Sequence, residues 1–458
     1  METAMLESVE VKIISRETVK PSKPTPFHLQ TFKLSMLDQI SPTMHISSLL
    51  FYNPNNQTQP LDITALKLAL SETLTHFYPL AGRCKDDSTI ICNDQGIPFI
   101  VADVNCTLSA VLGSSQSLDL STKFQFCPPL DILSTGKQPI SELVHLAFQI
   151  NVFSCGGVVI GCYLLHKILD GTSFGLFFKH WSALARKNCD ELIQPDFNST
   201  VIAFPPYHPK PQKQEKPDNS GFQSYLSTYD SLKKVAKGFI FSDVALNKLK
   251  AMATSKHVPN PTRFESLLGF IWEQCLASES VLYDKHTENP VLYFAAEMRK
   301  RIGAPLSENS IGNLIANPIA FGKTGASLSE LVAEIHDEIL KLTDETANEH
   351  ISGGLEAVLA HRGKLDEYFS EYKKGRYFSS SWCRNGLSEA DFGFGKPRFI
   401  VFPVINGEII PVRNLISLTD YNDPDGTIGA VAWIFLEEKE MQILQSNKEF
   451  LAFISHWD

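Results

Sequence analysis

Residues 156–171 read GGVVIGCYLLHKILDG, and the reading of the whole chain turns on them. From Gly156 to Leu165 the run is almost uninterruptedly apolar and rich in Val and Ile, the pattern of a strand buried on both faces. His166 closes the run, Asp170 stands four residues on, and Gly171 follows. An imidazole there suits proton abstraction from an alcohol, because its pKa lies near working pH. A core histidine bonded to a backbone carbonyl has the same spacing. With 13 His in the chain, about one His-x-x-x-Asp arises by chance. The spacing alone leaves both readings open.

Outward from this stretch, elements of both kinds are mixed. Ser141–Ser154 reads as a second strand, joined to the first around Cys155-Gly156-Gly157. Ser173–Arg186 has the periodicity of an amphipathic helix. Upstream, Val9–Ile13 alternates as a half-buried strand, and residues 20–26 (KPSKPTP) exclude helix or central strand through three prolines. Leu61–His76 is helical in period, with Asp62 as its N-cap. Ser88–Cys92 and Ile97–Val101 flank Asn93-Asp94-Gln95-Gly96 as a hairpin would. Residues 204–220 (FPPYHPKPQKQEKPDNS) carry five prolines and many charges without periodicity, which marks an exposed crossover. Beyond it lie a strand at Gly238–Phe241 and helices at Asp243–Ser255, Arg263–Ala277 and Leu328–Leu342. Strands follow at Phe399–Val404 and Gly429–Leu436.

At 458 residues the chain exceeds one core, which usually stops growing at roughly 250–300 residues, so two units of similar size are expected. The pattern predicts residues 1–203 and 237–458 as the two, with 204–236 between them, in an α/β or α+β arrangement. The net charge of −10 gives no electrostatic footprint for nucleic acid. Nine cysteines without paired spacing read as reduced thiols of a cytosolic protein. No apolar run approaches the ~20 residues of a membrane span. The first residues, METAMLESVEVKIISRETVKPS, lack a signal-peptide core, so cytosol is the expected location.

Two further motifs bear on chemistry. Gly171-Thr172-Ser173-Phe174-Gly175 is a formal G-x-S-x-G match and would make Ser173 a hydrolase nucleophile. That motif needs its serine directly between strand and helix, whereas here HKILDG intervenes, so Thr172 and Ser173 are expected to begin the helix. Asp391-Phe392-Gly393-Phe394-Gly395 sets two glycines among aromatics, the composition of a tight turn. No phosphate-loop pattern occurs, and no His/Cys/Asp cluster has metal spacing.

His166-x-x-x-Asp170-Gly171 followed much later by Asp391-Phe-Gly-Phe-Gly resembles the paired signatures (HxxxD and DFGWG) of the plant BAHD acyltransferases. Leu37-Asp38-Gln39, Tyr78–Arg83, Gln149–Gly157, Thr262–Glu265, Arg299, Ile311-Gly312-Asn313 and Ser380–Cys383 are similar to family positions in the same order. The likeness is greatest to the branch that acetylates alkaloid and terpenoid alcohols. The resemblance implies an α/β fold of two similar-sized domains, each a mixed sheet with flanking helices, joined by the long crossover. A channel would run between them. Acyl-CoA, with acetyl-CoA preferred, would be co-substrate, a small-molecule alcohol the acceptor, and the protein a monomer without a permanent cofactor.

The resemblance also implies roles. His166 would deprotonate the acceptor hydroxyl, which attacks the thioester directly. Asp170 would be orienting, paired with an arginine, and Gly171 would belong to the same turn. Asp391, with Gly393 and Gly395, would be structural and paired with Arg299. Thr262, Ser266, Ser380, Ser381 and Trp382 would contact CoA, helix N-termini being good anion sites. Ser or Thr hydroxyls and the Trp382 indole N–H are candidates to stabilise the oxyanion.

Phe394 stands in place of the family's usual Trp, and Glu297 where Asn often precedes Arg299. Asp425-Gly-Thr-Ile-Gly429 lacks a Glu that relatives often carry. The YFGNC motif of malonyl-transferring members is absent, although Arg413 could serve a donor carboxylate. Malonyl or another acyl donor, hydrolysis at Ser173 and a non-catalytic binding role are the rival readings.

Overall fold

The apolar run forms a strand at Val158–Leu165, and every residue of it is buried. It lies between Leu146–Phe153 and His45–Tyr52 and runs antiparallel to both. The two faces of this strand enter different cores. Ile160, Cys162 and Leu164 pack with Phe174, Phe177, Phe178 and Trp181 of the helix Gly171–Ala185. Val159 and Tyr163 pack on the other side with Phe126, Phe399 and Trp433. With both faces covered, the polar alternation of a half-exposed strand has no place.

The computed structural model describes residues 9–54, 61–113, 118–119, 124–132, 139–207, 234–283, 288–342, 375–402, 404–405, 408–409 and 414–456. Most of the expected crossover (208–233) and Arg413 fall outside them.

Among the described residues one mixed sheet of 15 strands runs through both halves of the chain. From its N-terminal edge the order is Val11–Val19, Ile97–Val104, Leu146–Phe153, Val158–Leu165 and His45–Tyr52. It continues through Phe399–Val401, Leu415–Asn422, Arg376–Ser381, Val291–Phe294 and Ile319–Phe321. Strand pairing stitches the halves at several places. Phe399 pairs with Phe51, so a strand from the second half extends the first half's sheet. Leu118–Asp119 pairs in turn with Gly238 and Lys237 on the strand Lys234–Phe241. The two expected sheets are thus hydrogen-bonded into one, with stacked Phe51 and Phe399 rings at the seam.

Local signals placed most helices correctly. Asp62 caps Ile63–His76 by accepting from Ala65 N at 2.9 Å, the N-cap bond expected of it. Leu328–Leu340 forms close to its expected bounds, and the helix expected at Arg263–Ala277 runs on to Tyr283. The hairpin over 88–101 does not form. Thr89–Ile91 pairs with Arg83–Asp86 and Thr31–Lys33 in a separate small sheet. Ile97–Val104 pairs with Val11–Val19 and Leu146–Phe153 in the large one. The intervening turn is tied elsewhere, Asp94 accepting from Thr25 Oγ1 (2.6 Å) and Gly96 N donating to Ala81 O (2.9 Å). Turn residues specify a change of direction, whereas pairing partners are chosen by tertiary burial. Among the described residues no helix is long and apolar enough to cross a membrane.

Candidate active site

His166 begins the turn after the central strand, its N–H donating to Met44 O at 2.9 Å. The ring is half-buried, and its Nδ1 lies 3.1 Å from Asn313 Oδ1. The Asn313 amide cannot be reversed without loss. Its Nδ2 sits 3.0 Å from His166 O, 3.1 Å from Lys167 O and 3.0 Å from Asp38 Oδ1, all acceptors. Oδ1 must therefore face the imidazole, Nδ1 carries the proton, and the Nε2 lone pair is left to act as base. Burial pushes the His166 pKa below its ordinary 6.5, against the opposing pull of a backbone hydrogen bond, Asp170 and Asn313. The neutral form is the base, so protonation removes activity. The kcat/KM of acyl transfer should accordingly rise with pH to a plateau, with its acid inflection below 6.5. An inflection above that value in a steady-state pH profile would contradict a base neutralised by burial.

Asp170 is the N-cap of the helix Gly171–Ala185, accepting from Ser173 N at 2.8 Å. Its other bonds come from far along the chain. Arg299 donates from Nη1 to Oδ2 (2.8 Å) and from Nη2 to Oδ1 (3.0 Å), a bidentate pair buried on both sides. Leu314 N adds a bond to Oδ2 at 3.0 Å. Burial opposes ionisation of Asp170, yet the Arg299 charge and these bonds hold the carboxyl below its usual range. Asp170 therefore has no proton to exchange at neutral pH. It locks the start of the helix to the segment that carries Asn313.

Arg299 completes the lock. Its Nε donates to Ser310 O (2.8 Å), and Nη2 reaches Ser173 Oγ (2.9 Å) and Gly312 O (3.1 Å). Glu297 accepts from Arg299 N (2.8 Å) and Nη1 (3.0 Å), so its charge is used by the same arginine. Gly312 has to be glycine. At φ +139° a Cβ would stand 2.9 Å from Thr200 Cγ2 and 3.4 Å from both Asp38 carboxylate oxygens.

The expected Arg299–Asp391 pairing is not formed. Asp391 Oδ1 accepts from Gly393 N (2.7 Å) and Gly395 N (2.9 Å), closing its own turn. Both glycines sit at positive φ, +99° and +98°, which makes that turn accessible to them. The Asp391 carbonyl accepts from Arg186, the C-cap of the helix that Asp170 begins. Fifteen helical residues separate the two ends, about 22 Å at 1.5 Å per residue. One arginine cannot serve both carboxylates across that span. Phe394 fills the aromatic position of its motif, packing edge-on to Tyr52 at 4.9 Å and stacking on Phe392 at 6.0 Å.

Ser173 lies fully buried in the first helical turn. Its Oγ donates to Gly312 O (3.0 Å) and accepts from Gly312 N (3.0 Å) and Arg299 Nη2 (2.9 Å). A nucleophile needs access and an adjacent base, and this hydroxyl has neither. Ser173→Ala should keep turnover within about tenfold while losing ~1–3 kcal/mol of stability in chemical denaturation, from buried partners left unsatisfied. Abolished turnover in a folded Ser173→Ala protein would restore the nucleophile reading.

The residues expected to meet CoA are spread over two elements. Trp382 stands beside the motif: the benzo edge of its indole would lie 2.9 Å from a Cβ on Gly171, and its ring packs on Phe402. Ser380 and Ser381 end the parallel strand Arg376–Ser381. Thr262 and Ser266 belong to the first turn of Arg263–Tyr283. There Glu265 takes the Thr262 N–H, and Ser266 Oγ donates to Thr262 O at 2.8 Å. Thr262 Oγ1 accepts from Glu265 N in return (3.2 Å), so reciprocal side-chain bonds already close that helix start. Phe264 in this turn touches Phe294, whose strand neighbour is Ser379, so the two elements meet at one strand end. Asn313 and Asp38 are the site residues that sequence reasoning missed. Both lie in short matches, Ile311-Gly312-Asn313 and Leu37-Asp38-Gln39, that suggest no role by spacing.

Residues 9–451 match the model of the Transferase family. Stemmadenine O-acetyltransferase of Catharanthus roseus is 32% identical over 452 residues, covering 97% of this chain and 98% of that protein. A limonoid 21-O-acetyltransferase of Melia azedarach is 29% identical, covering 98% of this chain and 99% of its own. Vinorine synthase of Rauvolfia serpentina is 31% identical over 444 residues, covering 95% and 96%. The crystal structure of vinorine synthase superposes with a TM-score of 0.77 at 30% identity, over 97% of this chain and 99% of that one.

Proposed function

The chain belongs to the BAHD acyltransferases of the Transferase family, and from that membership we propose that it moves an acetyl group from acetyl-CoA to a hydroxyl of a plant alkaloid or terpenoid alcohol. The observation that carries this reading is the imidazole of His166, neutral by burial and with Nδ1 engaged by Asn313 Oδ1. Its Nε2 takes the hydroxyl proton as the alcohol oxygen attacks the thioester carbonyl. The tetrahedral oxyanion collapses, the C–S bond breaks, and the CoA thiolate takes the proton back from the imidazolium. No acyl-enzyme forms. Asp170 and Arg299 act by holding the turn that aims His166. The acetyl donor and the alkaloid or terpenoid acceptor are supported by the names of the relatives, which are O-acetyltransferases of stemmadenine and of limonoids. Acceptor choice rests on wall contacts worth only ~1–3 kcal/mol each.

We place the reaction in the cytosol and on a monomer; size-exclusion chromatography checks the monomer, and imaging of a fluorescent fusion in plant cells checks the location. The test of function is incubation of the purified protein with acetyl-, malonyl- and longer acyl-CoA together with a plant metabolite extract. Acetylated products and acetyl-dependent CoA release are expected. Preference for malonyl-CoA would move the donor assignment, and binding of alcohols without turnover of any acyl-CoA would make the chain a non-catalytic relative.

A further inference from the structure

Asp38 lies in the short helix Met36–Ile40 and is 3% exposed. Its carboxylate meets four donors, none of them charged. Ser35 Oγ (2.6 Å) and Ser35 N (3.2 Å) donate to Oδ2. Asn313 N (2.8 Å) and Asn313 Nδ2 (3.0 Å) donate to Oδ1. All of these are neutral groups that an ionised carboxylate accepts from. No lysine or arginine pairs with Asp38 among the described residues. Lys167, in the turn after the central strand, donates to Gln39 O of that helix (3.0 Å) and lies 3.6 Å from Asp87. The motif's own carboxylate, Asp170, is ion-paired with Arg299, which also contacts Glu297. Asp38 is therefore a buried carboxyl held by four neutral donors and, among the described residues, without an ion-pair partner, one amide away from the base.

Burying a carboxylate without a counter-ion costs stability, which its hydrogen-bond donors offset. His166 can bring a positive charge to the other side of Asn313. When it takes the acceptor proton, a positive charge appears on the imidazole, and Nδ1–H points through Asn313 toward Asp38. We infer that Asp38 is a positioning residue for the acyl transfer: through the Asn313 amide it holds His166 in the Nδ1–H form and stabilises the imidazolium that forms in the transition state. The inference rests on His166 acting as the base. The three residues come from segments near positions 38, 166 and 313 and meet only in the folded chain. Burial raises the Asp38 pKa, opposed by the bonds from Ser35 and Asn313. It lowers that of His166.

Asp38→Asn removes the charge and keeps an acceptor for Asn313. Expected is a kcat lower by about tenfold. The acid limb of kcat/KM should move to lower pH, by about one unit, because loss of a negative charge disfavours the imidazolium. KM for acetyl-CoA and alcohol should stay within about twofold. A fall in rate with the acid limb in place would leave Asp38 a purely structural role and overturn the inference, as would an unchanged kcat. If Asp38→Asn does not fold, Asp38→Ser removes the same charge. Nitrogen-15 NMR of histidine-labelled wild-type protein is the independent arm. A proton on Nδ1 of His166 is expected, and a proton on Nε2 would overturn the linkage whatever the variants do. Activity surviving loss of His166 would instead defeat the base assignment, so the two failures are separable.

Discussion

His166→Ala should lower kcat for acyl transfer by about 10²–10⁴-fold, the usual contribution of a positioned general base. The fold should barely notice. The ring is half-buried, and the change removes its hydrogen bonds, that to Asn313 Oδ1 among them, at about 1 kcal/mol each. Asn313 keeps its other bonds to Asp38, His166 O and Lys167 O, since none of them uses the imidazole. CoA release and thermal midpoint measured on one preparation separate chemistry from folding. Near wild-type turnover would mean that another group takes the proton. Partial return of activity with added imidazole would identify the missing step as proton transfer.

Arg299→Ala should be the most damaging single change to stability. It strips Asp170 of a bidentate partner at a site where the two side chains are 1% and 4% exposed. Removing one member of such a pair costs ~3–5 kcal/mol, because the remaining charge is buried without compensation. Ser310 O and Gly312 O lose donors as well, and Glu297 loses its ion pair. Denaturant unfolding should show the loss directly, and a drop under ~1 kcal/mol would contradict the pairing. Arg299→Lys should fall between wild type and alanine, since a point charge cannot fill a fork built for a guanidinium. The pH dependence has a definite sign. Asp170 is held below its ordinary 3.8, so its contribution is complete above that value and is lost as pH falls through the lowered one. In Arg299→Ala that segment of the acid-unfolding curve should flatten.

Some of this was legible in the sequence because the signal is local. The run from Gly156 to Leu165 names a buried strand by composition alone, and the structure places Val158–Leu165 between two cores. Asp62 announces its helix because an N-cap bond spans only three residues. The start of the helix after His166 was readable for the same reason, which is why Ser173 could be set inside it. The hairpin over 88–101 failed because turn chemistry says where a chain bends and not what it pairs with. Phe399–Val401 was readable as a strand, but its pairing with Leu49–Phe51 across the halves was not, because pairing partners are chosen by burial.

What the sequence by itself determined is the inventory and its order: a histidine closing a buried strand, a capping aspartate after it, and a glycine turn near the far end. Only the tertiary structure decided who partners whom. Arg299 had two carboxylates to choose between, and the length of the helix Gly171–Ala185 put Asp170 within reach and Asp391 at the other end. Asn313 and Asp38 reach His166 only when segments 147 and 275 positions apart in the chain are brought together. The physical reason is common to both cases. Hydrogen bonds and ion pairs act over a few ångströms in space, so separation along the chain carries no information about them until burial has closed the distance.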